Sequence, residues 1–310
     1  MSADLPPDAP ALVLAVPRSP AAGAVAQREG WGEKVVAEIA SQTRSAHNHL
    51  DIRTGVVAEP VGDGTTLIET LRDIAELRRT QEFGESSTPE SARDDDAEET
   101  EPRHELSGLI RRGGPVAIVV PLLTGPNANV YDHLRSTVTA SGVPAKVTEP
   151  LGPHPLLAEA LHVRLAEAGL ARADRIRQFS IGAAVDGVVV VTMGGAPAVQ
   201  EADITAVLLA ARLAVPVIAA ALDGAPAVAD AAARLREAGA DRLALAPQLI
   251  GPEGDPDLLA AAAAHVNAGH AAPLGAHQSI VRLVNLRYEV ALEELAASAA
   301  HDYRSEEEAS

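Results

Sequence analysis

The residues best suited to chemistry follow a short apolar run in the middle of the chain. This run, at residues 116–120, is followed by a turn rich in proline and glycine and then by Asn129, Asp132 and His133. A brief β-branched run predicts a strand buried on both faces, and ligands of parallel sheets bind where such strands end. A neutral imidazole can ligate a divalent metal and accept a proton near neutral pH. His133 is therefore the best-placed candidate for metal or proton chemistry, with an exposed histidine of no special role as the alternative.

Other candidate groups have competing structural interpretations. His154 and His277 end the repeated turns PLGPH and PLGAH, where a histidine that bonds to the backbone is favoured over a ligand. Gly194 and Gly195 come between an apolar run and a helical pattern, as in a loop that cradles phosphate. Neither G-x-G-x-x-G nor the Walker pattern is present, so a tight turn is favoured there.

The repeated turn is part of a longer internal repeat. The sequence VPLLTGP at residues 120–126 recurs as APQLIGP at residues 246–252, an offset of 247 − 121 = 126. The PLG turn recurs at an offset of 273 − 150 = 123. Two separate matches at nearly one offset predict an internal duplication, with Gly125 equivalent to Gly251 and Gly152 equivalent to Gly275.

The elements around these motifs alternate between strand and helix patterns. Predicted strands cover residues 11–16, 52–58, 116–120, 145–148, 187–192, 215–221 and 242–246. Predicted helices cover residues 31–43, 66–79, 106–112, 131–141, 156–169, 201–213, 225–238, 256–267 and 279–295, with Thr65 as a candidate cap of the second. This alternation predicts an α/β fold of two similar lobes, each a parallel sheet flanked by helices, with a cleft between them. The predicted lobes are residues 11–178 and 184–298, between flexible tails at 1–10 and 299–310.

The composition narrows the classes of partner. The 310 residues carry a net charge of −18, which argues against nucleic acid and against an anionic membrane surface. Apolar runs end well short of the ~20 residues that span a bilayer. The absence of cysteine excludes disulfides and suits the cytoplasm, and the sequence MSADLPPDAP has none of the features of a signal peptide.

Much of the negative charge lies in one segment. Residues 81–105 contain ten acidic residues against Arg93 and Arg103, a local net charge of −8, and almost no apolar residues. Such a segment cannot bury enough surface to fold alone, so we predict a disordered insertion. The alternative is an acidic docking segment for a basic protein partner.

Four stretches, two in each half of the chain, together carry a resemblance to a known family. VPLLTGPNANVYDHL followed by VTEPLGPHPLLAEAL, and in the second half LAPQLIGP followed by PLGAHQSIVRLVNLRYEVAL, resemble the CbiX-type sirohydrochlorin chelatases in their long, two-repeat form. The resemblance covers residues 11–295 apart from the acidic insertion. It implies the class II chelatase fold, with a tetrapyrrole cleft between two lobes. It also implies insertion of cobalt or iron, as a substrate metal, into sirohydrochlorin in cobalamin or sirohaem biosynthesis, without an organic cofactor.

The resemblance also assigns roles to residues. The family presents a metal-binding histidine in a Gly-His-Gly-Ser-Arg signature after its first strand, where this chain has Ala-Val-Pro-Arg-Ser ending at Ser19. The family's second metal-binding histidine falls on Asn129. Proton transfer and metal binding would then fall to Glu59 and to His133 with its neighbour Asp132. By the same resemblance, Arg18, Ser19 and Asn129 would contact the substrate. The alternative is a non-catalytic protein that binds a tetrapyrrole or metal, or scaffolds a partner.

Overall fold

The structure, a computed structural model, places two parallel sheets and eight helices among the residues that it describes. These residues are 9–17, 31–47, 49–57, 65–85, 114–171, 185–251 and 254–308. The predicted helix at 106–112 and most of the acidic segment lie outside these ranges. Both sheets have four parallel strands with helices on their faces, which confirms the predicted α/β fold of two lobes.

The N-terminal sheet has the strand order β2-β1-β3-β4. Its strands are β1 (Ala11–Val16), β2 (Ile52–Val56), β3 (Ala117–Pro121) and β4 (Ala145–Val147). The helices that follow them are α1 (Trp31–Ala46), α2 (Leu67–Glu85), α3 (Ala128–Ser141) and α4 (Pro155–Glu167). Every residue of β1 and β3 is buried, as the continuous apolar runs predicted for central strands of a parallel sheet.

The C-terminal sheet repeats this plan in the order β6-β5-β7-β8. Its strands are β5 (Gly187–Thr192), β6 (Val217–Ala221), β7 (Leu243–Pro247) and β8 (Gly269–His270), and its helices are α5 (Gly195–Leu213), α6 (Val228–Glu237), α7 (Pro256–His265) and α8 (Gln278–Glu308). β8 was not predicted because two residues are too few to show a periodic pattern. The identical strand order supports the predicted duplication.

Backbone hydrogen bonds at equivalent positions make the duplication specific. The Leu151 amide donates to the Leu123 carbonyl over 2.8 Å, and the Leu274 amide donates to the Leu249 carbonyl over 2.7 Å. The pairs differ by the predicted offsets, 274 − 151 = 123 and 249 − 123 = 126. The turns that hold Gly152 and Gly275 are therefore equivalent elements of the two lobes.

The last helix of each repeat packs on the other lobe. Helix α4 lies against α5 and β7, whereas α8 lies against α1 and β3, and the two helices also contact each other. Their buried faces, including Leu161 of α4 and Tyr288 of α8, join one apolar core that runs through both lobes. The Tyr288 hydroxyl also donates to the Pro10 carbonyl over 2.6 Å, which ties α8 to the start of β1. Two smaller cores lie beneath the outer helices.

Several helix ends differ from the predicted ones. Thr66 rather than Thr65 caps α2, because the Thr66 hydroxyl accepts from the Glu69 amide while the Glu69 carboxylate accepts from the Thr66 amide. This helix continues to Glu85, so the first residues of the acidic segment are helical. Helix α8 continues to Glu308, through most of the predicted C-terminal tail, in a sequence rich in alanine and glutamate, which favour helix. In the described part of the chain, no helix has the length and hydrophobicity that crossing a bilayer requires.

Candidate ligand site between the two lobes

The carboxyl edges of the two sheets meet through the turns after β3 and β5. Gly194, in the turn after β5, has φ of +113°, and a Cβ there would lie 2.8 Å from the Pro126 carbonyl oxygen in the turn after β3. This close approach and the positive φ both require glycine. The predicted ligand edge of the N-terminal sheet therefore faces the corresponding edge of the C-terminal sheet.

A buried polar pair joins the two edges. The Thr124 hydroxyl donates to the Gln248 backbone carbonyl over 2.6 Å, and Gln248 Nε2 lies 3.4 Å from the Thr124 carbonyl oxygen. Both side chains are buried, and Gln248 Oε1 has no hydrogen-bond partner among the described residues. The position equivalent to Gln248 in the first repeat is Leu122, 248 − 126 = 122, which is also buried. The second repeat thus carries an amide where the first has an apolar side chain.

Three predicted site residues lie together on α3. Asn127 caps this helix, because its side-chain oxygen accepts from the Val130 amide over 3.3 Å. Asn129 is in the first turn, and Asp132 and His133 follow it by three and four residues, so all three share one exposed side of the helix. Their proposed roles in metal and substrate binding remain predictions.

The other predicted site residues, Arg18, Ser19 and Glu59, lie outside the described ranges, in the sequence between β1 and α1 and between β2 and α2. Within the described ranges, no group of three or more histidine, aspartate and glutamate side chains has the arrangement of a metal site. The part of the site contributed by α3 is therefore a polar surface beside the meeting point of the lobes.

Charged side chains from both repeats also gather near β4. The Tyr131 hydroxyl of α3 donates to the Thr148 carbonyl just after β4. The Arg135 guanidinium carbon lies 4.9 Å from the centre of the Tyr131 ring. Partial burial, and then the Glu149 carboxylate, raise the pKa of Tyr131. The same two causes raise the pKa of Glu201 on α5. Glu149 therefore lies near groups of both lobes.

The residues of this cluster are far apart in the sequence, so composition and spacing gave no indication that they would meet. Arg287 of α8, whose charge acts on Tyr131, also belongs to this cluster and is the exception. It lies 287 − 164 = 123 residues after Arg164, which is the offset of the repeated turn. The duplication could therefore have identified the two arginines as equivalent.

The two repeated histidines are helix caps. His154 Nδ1 accepts from the Leu156 amide at the start of α4, and His277 Nδ1 accepts from the Ser279 amide at the start of α8, each over 3.1 Å. Burial is the main cause that lowers the pKa of both imidazoles, followed by the charge of Arg287 near His154 and of Arg164 near His277. The structure thus supports the interpretation of both as turn residues bonded to the backbone.

The amides of the paired glycines are already bonded to a carboxylate of the chain. The Gly194 amide donates to the two Asp223 carboxylate oxygens over 3.1 and 2.9 Å, and the Gly195 amide donates to Asp223 Oδ1 over 3.3 Å. Gly195 has φ of +64°, so consecutive residues with positive φ direct their amides at one anion. The predicted tight turn is therefore present, with Asp223 in the place that a phosphate would need.

Comparison with known proteins shows the fold. No protein-family model matches the sequence, and neither does any curated protein. The solved structures that match nearly the whole chain include two of SirB. SirB from Bacillus subtilis with Fe3+ has a TM-score of 0.54 and 15% identity, with 94% of this chain and 98% of that chain covered. The sirohydrochlorin chelatase SirB from Bacillus subtilis subspecies spizizenii, in complex with cobalt, has a TM-score of 0.52 and 13% identity over 93% and 96% of the two chains. The chain therefore has the fold of these chelatases.

Proposed function

We propose that the protein binds a tetrapyrrole between its lobes and acts as a metal chelatase of the sirohydrochlorin type. The main support is the likeness to SirB, which extends over both lobes and their helices. In this chain the carboxyl edges of the two sheets approach each other at Gly194 and Pro126. Open α/β sheets bind ligands at this edge.

The proposed chemistry is entry of a divalent metal with release of two pyrrole protons. His133 and Asp132 would bind cobalt or iron on its way into the macrocycle, and Glu59 and His133 would accept protons. Arg18, Ser19 and Asn129 would bind polar side chains of the tetrapyrrole. This assignment uses the exposed side of α3 together with the loops after β1 and β2.

We further propose that metal insertion is slow compared with that of a chelatase that has both family histidines. In this sequence the loop after β1 has no histidine, and Asn129 stands where the resemblance expects the second one. Amide and carboxylate oxygens are harder ligands for a transition metal than imidazole nitrogen, and an amide is no base. A non-catalytic role in tetrapyrrole binding is the second candidate, because the same replacements leave a surface that could bind the macrocycle.

The experiment is anaerobic incubation of the protein with sirohydrochlorin and Co²⁺ or Fe²⁺, followed by its absorption spectrum. We expect saturable binding and slow insertion that His133→Ala and Glu59→Gln reduce further. Loss of a positioned general base typically costs roughly 10²–10⁴ in rate, so a measurable wild-type rate should fall to that of the uncatalysed reaction. Insertion that neither substitution changes would place the metal chemistry elsewhere. Binding with no insertion above the uncatalysed rate would favour the second candidate.

A further inference from the structure

The repeated arginines Arg164 and Arg287 differ in their partners. Arg164 on α4 donates from Nε and Nη2 to the Leu274 carbonyl, over 3.2 and 2.6 Å. Its Nη1 donates to Glu167 over 2.8 Å. This arginine ties the last helix of the first repeat to the repeated turn of the second, and its role is fully explained by the protein itself.

Arg287 makes none of the equivalent bonds. Its Nε is buried. Among the described residues, Nε has no hydrogen-bond partner and the guanidinium forms no ion pair. The acid equivalent to Glu167 is also missing, because position 167 + 123 = 290 is Val290. A buried guanidinium N–H without an acceptor is costly, since water no longer solvates it. The second arginine therefore has an unused donor where the first has three bonds.

Arg287 lies at the carboxyl edge of the N-terminal sheet. Its charge acts on Tyr131, in the second turn of α3, and on His154, at the start of α4. Both follow strands of that sheet, on the edge that carries Asn129. Arg287 belongs to the second repeat but lies beside the edge of the N-terminal lobe, because α8 packs on that lobe.

The chemistry of the group identifies what it would bind. A guanidinium stays charged at all ordinary pH values and presents parallel N–H donors that fit a carboxylate. Glu149, the acid that acts on Tyr131, is exposed and forms no ion pair with Arg287 among the described residues. Sirohydrochlorin and related tetrapyrroles carry acetate and propionate side chains around the ring.

We infer that Arg287 binds a carboxylate side chain of the tetrapyrrole, and that this second-repeat residue completes the ligand site of the N-terminal lobe. The inference rests on the proposed function. Its chemical content is a charge-assisted pair between the Arg287 guanidinium and a ring substituent, on a helix that belongs to the shared core.

The test is an equilibrium titration of the full-length protein with uroporphyrin, a metal-free porphyrin rich in carboxylates, followed by absorbance. We expect Arg287→Gln to raise Kd roughly 10-fold to 100-fold, as for loss of a charge-assisted hydrogen bond, and Arg287→Lys to raise it less. Arg164→Gln is the matched control, for which Kd should stay within about twofold while Tm falls, because it loses bonds within the protein. The Tm of Arg287→Gln should not fall, since no internal bond is lost.

The outcomes separate this inference from the proposed function. Wild-type binding that Arg287→Gln leaves unchanged would overturn the inference and leave the proposed function standing. A loss of Tm in Arg287→Gln as large as in Arg164→Gln would show a structural residue and would also overturn it. If the wild type bound neither uroporphyrin nor sirohydrochlorin, this inference and the proposed function would both be overturned.

Discussion

The carboxyl edges of the two lobes are built on one plan but use it differently. In the C-terminal lobe only residues 193–194 connect β5 to α5, and Asp223 binds the amides that the turn presents. In the N-terminal lobe residues 17–30 connect β1 to α1, and the position equivalent to Asp223 is Ala58, 223 − (217 − 52) = 58. At one edge the turn amides bind a carboxylate of the protein itself, whereas the other edge has a longer connection in the sequence and no carboxylate at the equivalent position.

Other contacts of the duplication are the same in both lobes. Both lobes keep the histidine cap and the backbone bond from the PLG turn, because these contacts fix the last helix of each repeat. We therefore expect the residues of these shared contacts to determine stability in both lobes and the N-terminal edge to determine binding.

The largest expected difference between the lobes concerns the glycines of the PLG turns. A Cβ at Gly152 would lie 2.2 Å from the Thr124 carbonyl oxygen, and backbone cannot move aside cheaply. At Gly275 the nearest atom is Arg164 Nη2 at 3.3 Å, and the cost arises from φ of +59°. We expect Gly152→Ala to destabilise by roughly 3 kcal/mol, the upper end for overpacking, and Gly275→Ala by about 1–2 kcal/mol. Chemical denaturation of both variants measures this, and equal losses would contradict the distinction.

A smaller effect is expected where the two edges carry different side chains. Leu122→Gln would bury an amide without partners and should destabilise by about 1–3 kcal/mol. The matched substitution Gln248→Leu removes an amide whose Oε1 has no partner in the described part of the chain. The free energy of unfolding of this variant should therefore stay the same or rise. A clear loss of stability in Gln248→Leu would mean that the amide has a function in the lobe contact beyond its weak bond to Thr124.

The histidine caps should give both lobes the same dependence on pH. Their folded pKa values lie below the usual value, because burial and a nearby arginine disfavour the imidazolium and because Nδ1 must be unprotonated to accept. The stability they contribute is therefore present above the unfolded pKa of about 6.5 and is lost as the pH falls through the lower folded value. A helix cap is worth about 1 kcal/mol. In the double variant His154→Asn with His277→Asn, Tm should depend less on pH between pH 7.5 and 5. An unchanged slope of Tm against pH would contradict the assignment.

The smallest expected effect concerns Glu201, where the lobes meet. Burial and the Glu149 charge raise its pKa, so the folded protein favours the protonated form. The stability associated with that form is present below the unfolded pKa of about 4.3 and is lost as the pH rises through the folded value. Glu201→Gln should then stabilise the protein at pH 7 by about 0.5 kcal/mol, since the group is partly solvated, and should have no effect near pH 3.5. Destabilisation at pH 7 would indicate a favourable partner for the carboxylate.

The sequence could predict the two sheets and the repeated turns, because the central strands are continuous apolar runs. The predicted bounds of β1 and β5 match the structure, and the repeated PLG-x-H turn located two helix caps. Helix α5 starts at Gly195 rather than at residue 201, since the pattern Gly-Ala-Pro-Ala looks like a turn. The cluster near β4 could not be predicted, because Tyr131, Glu149, Glu201 and Arg287 meet only through the exchange of helices between lobes.

The most direct test of the account compares the two edges as ligand sites. Asn129 and Asp257 are exposed residues at the same position, the second residue, of the equivalent helices α3 and α7. We predict that Asn129→Trp, which places a bulky ring on the N-terminal edge, raises Kd for sirohydrochlorin at least roughly 10-fold, equivalent to about 1.4 kcal/mol. Asp257→Trp should leave Kd unchanged. Equal effects of the two substitutions, or no saturable binding by the wild type, would contradict a tetrapyrrole site at the N-terminal edge.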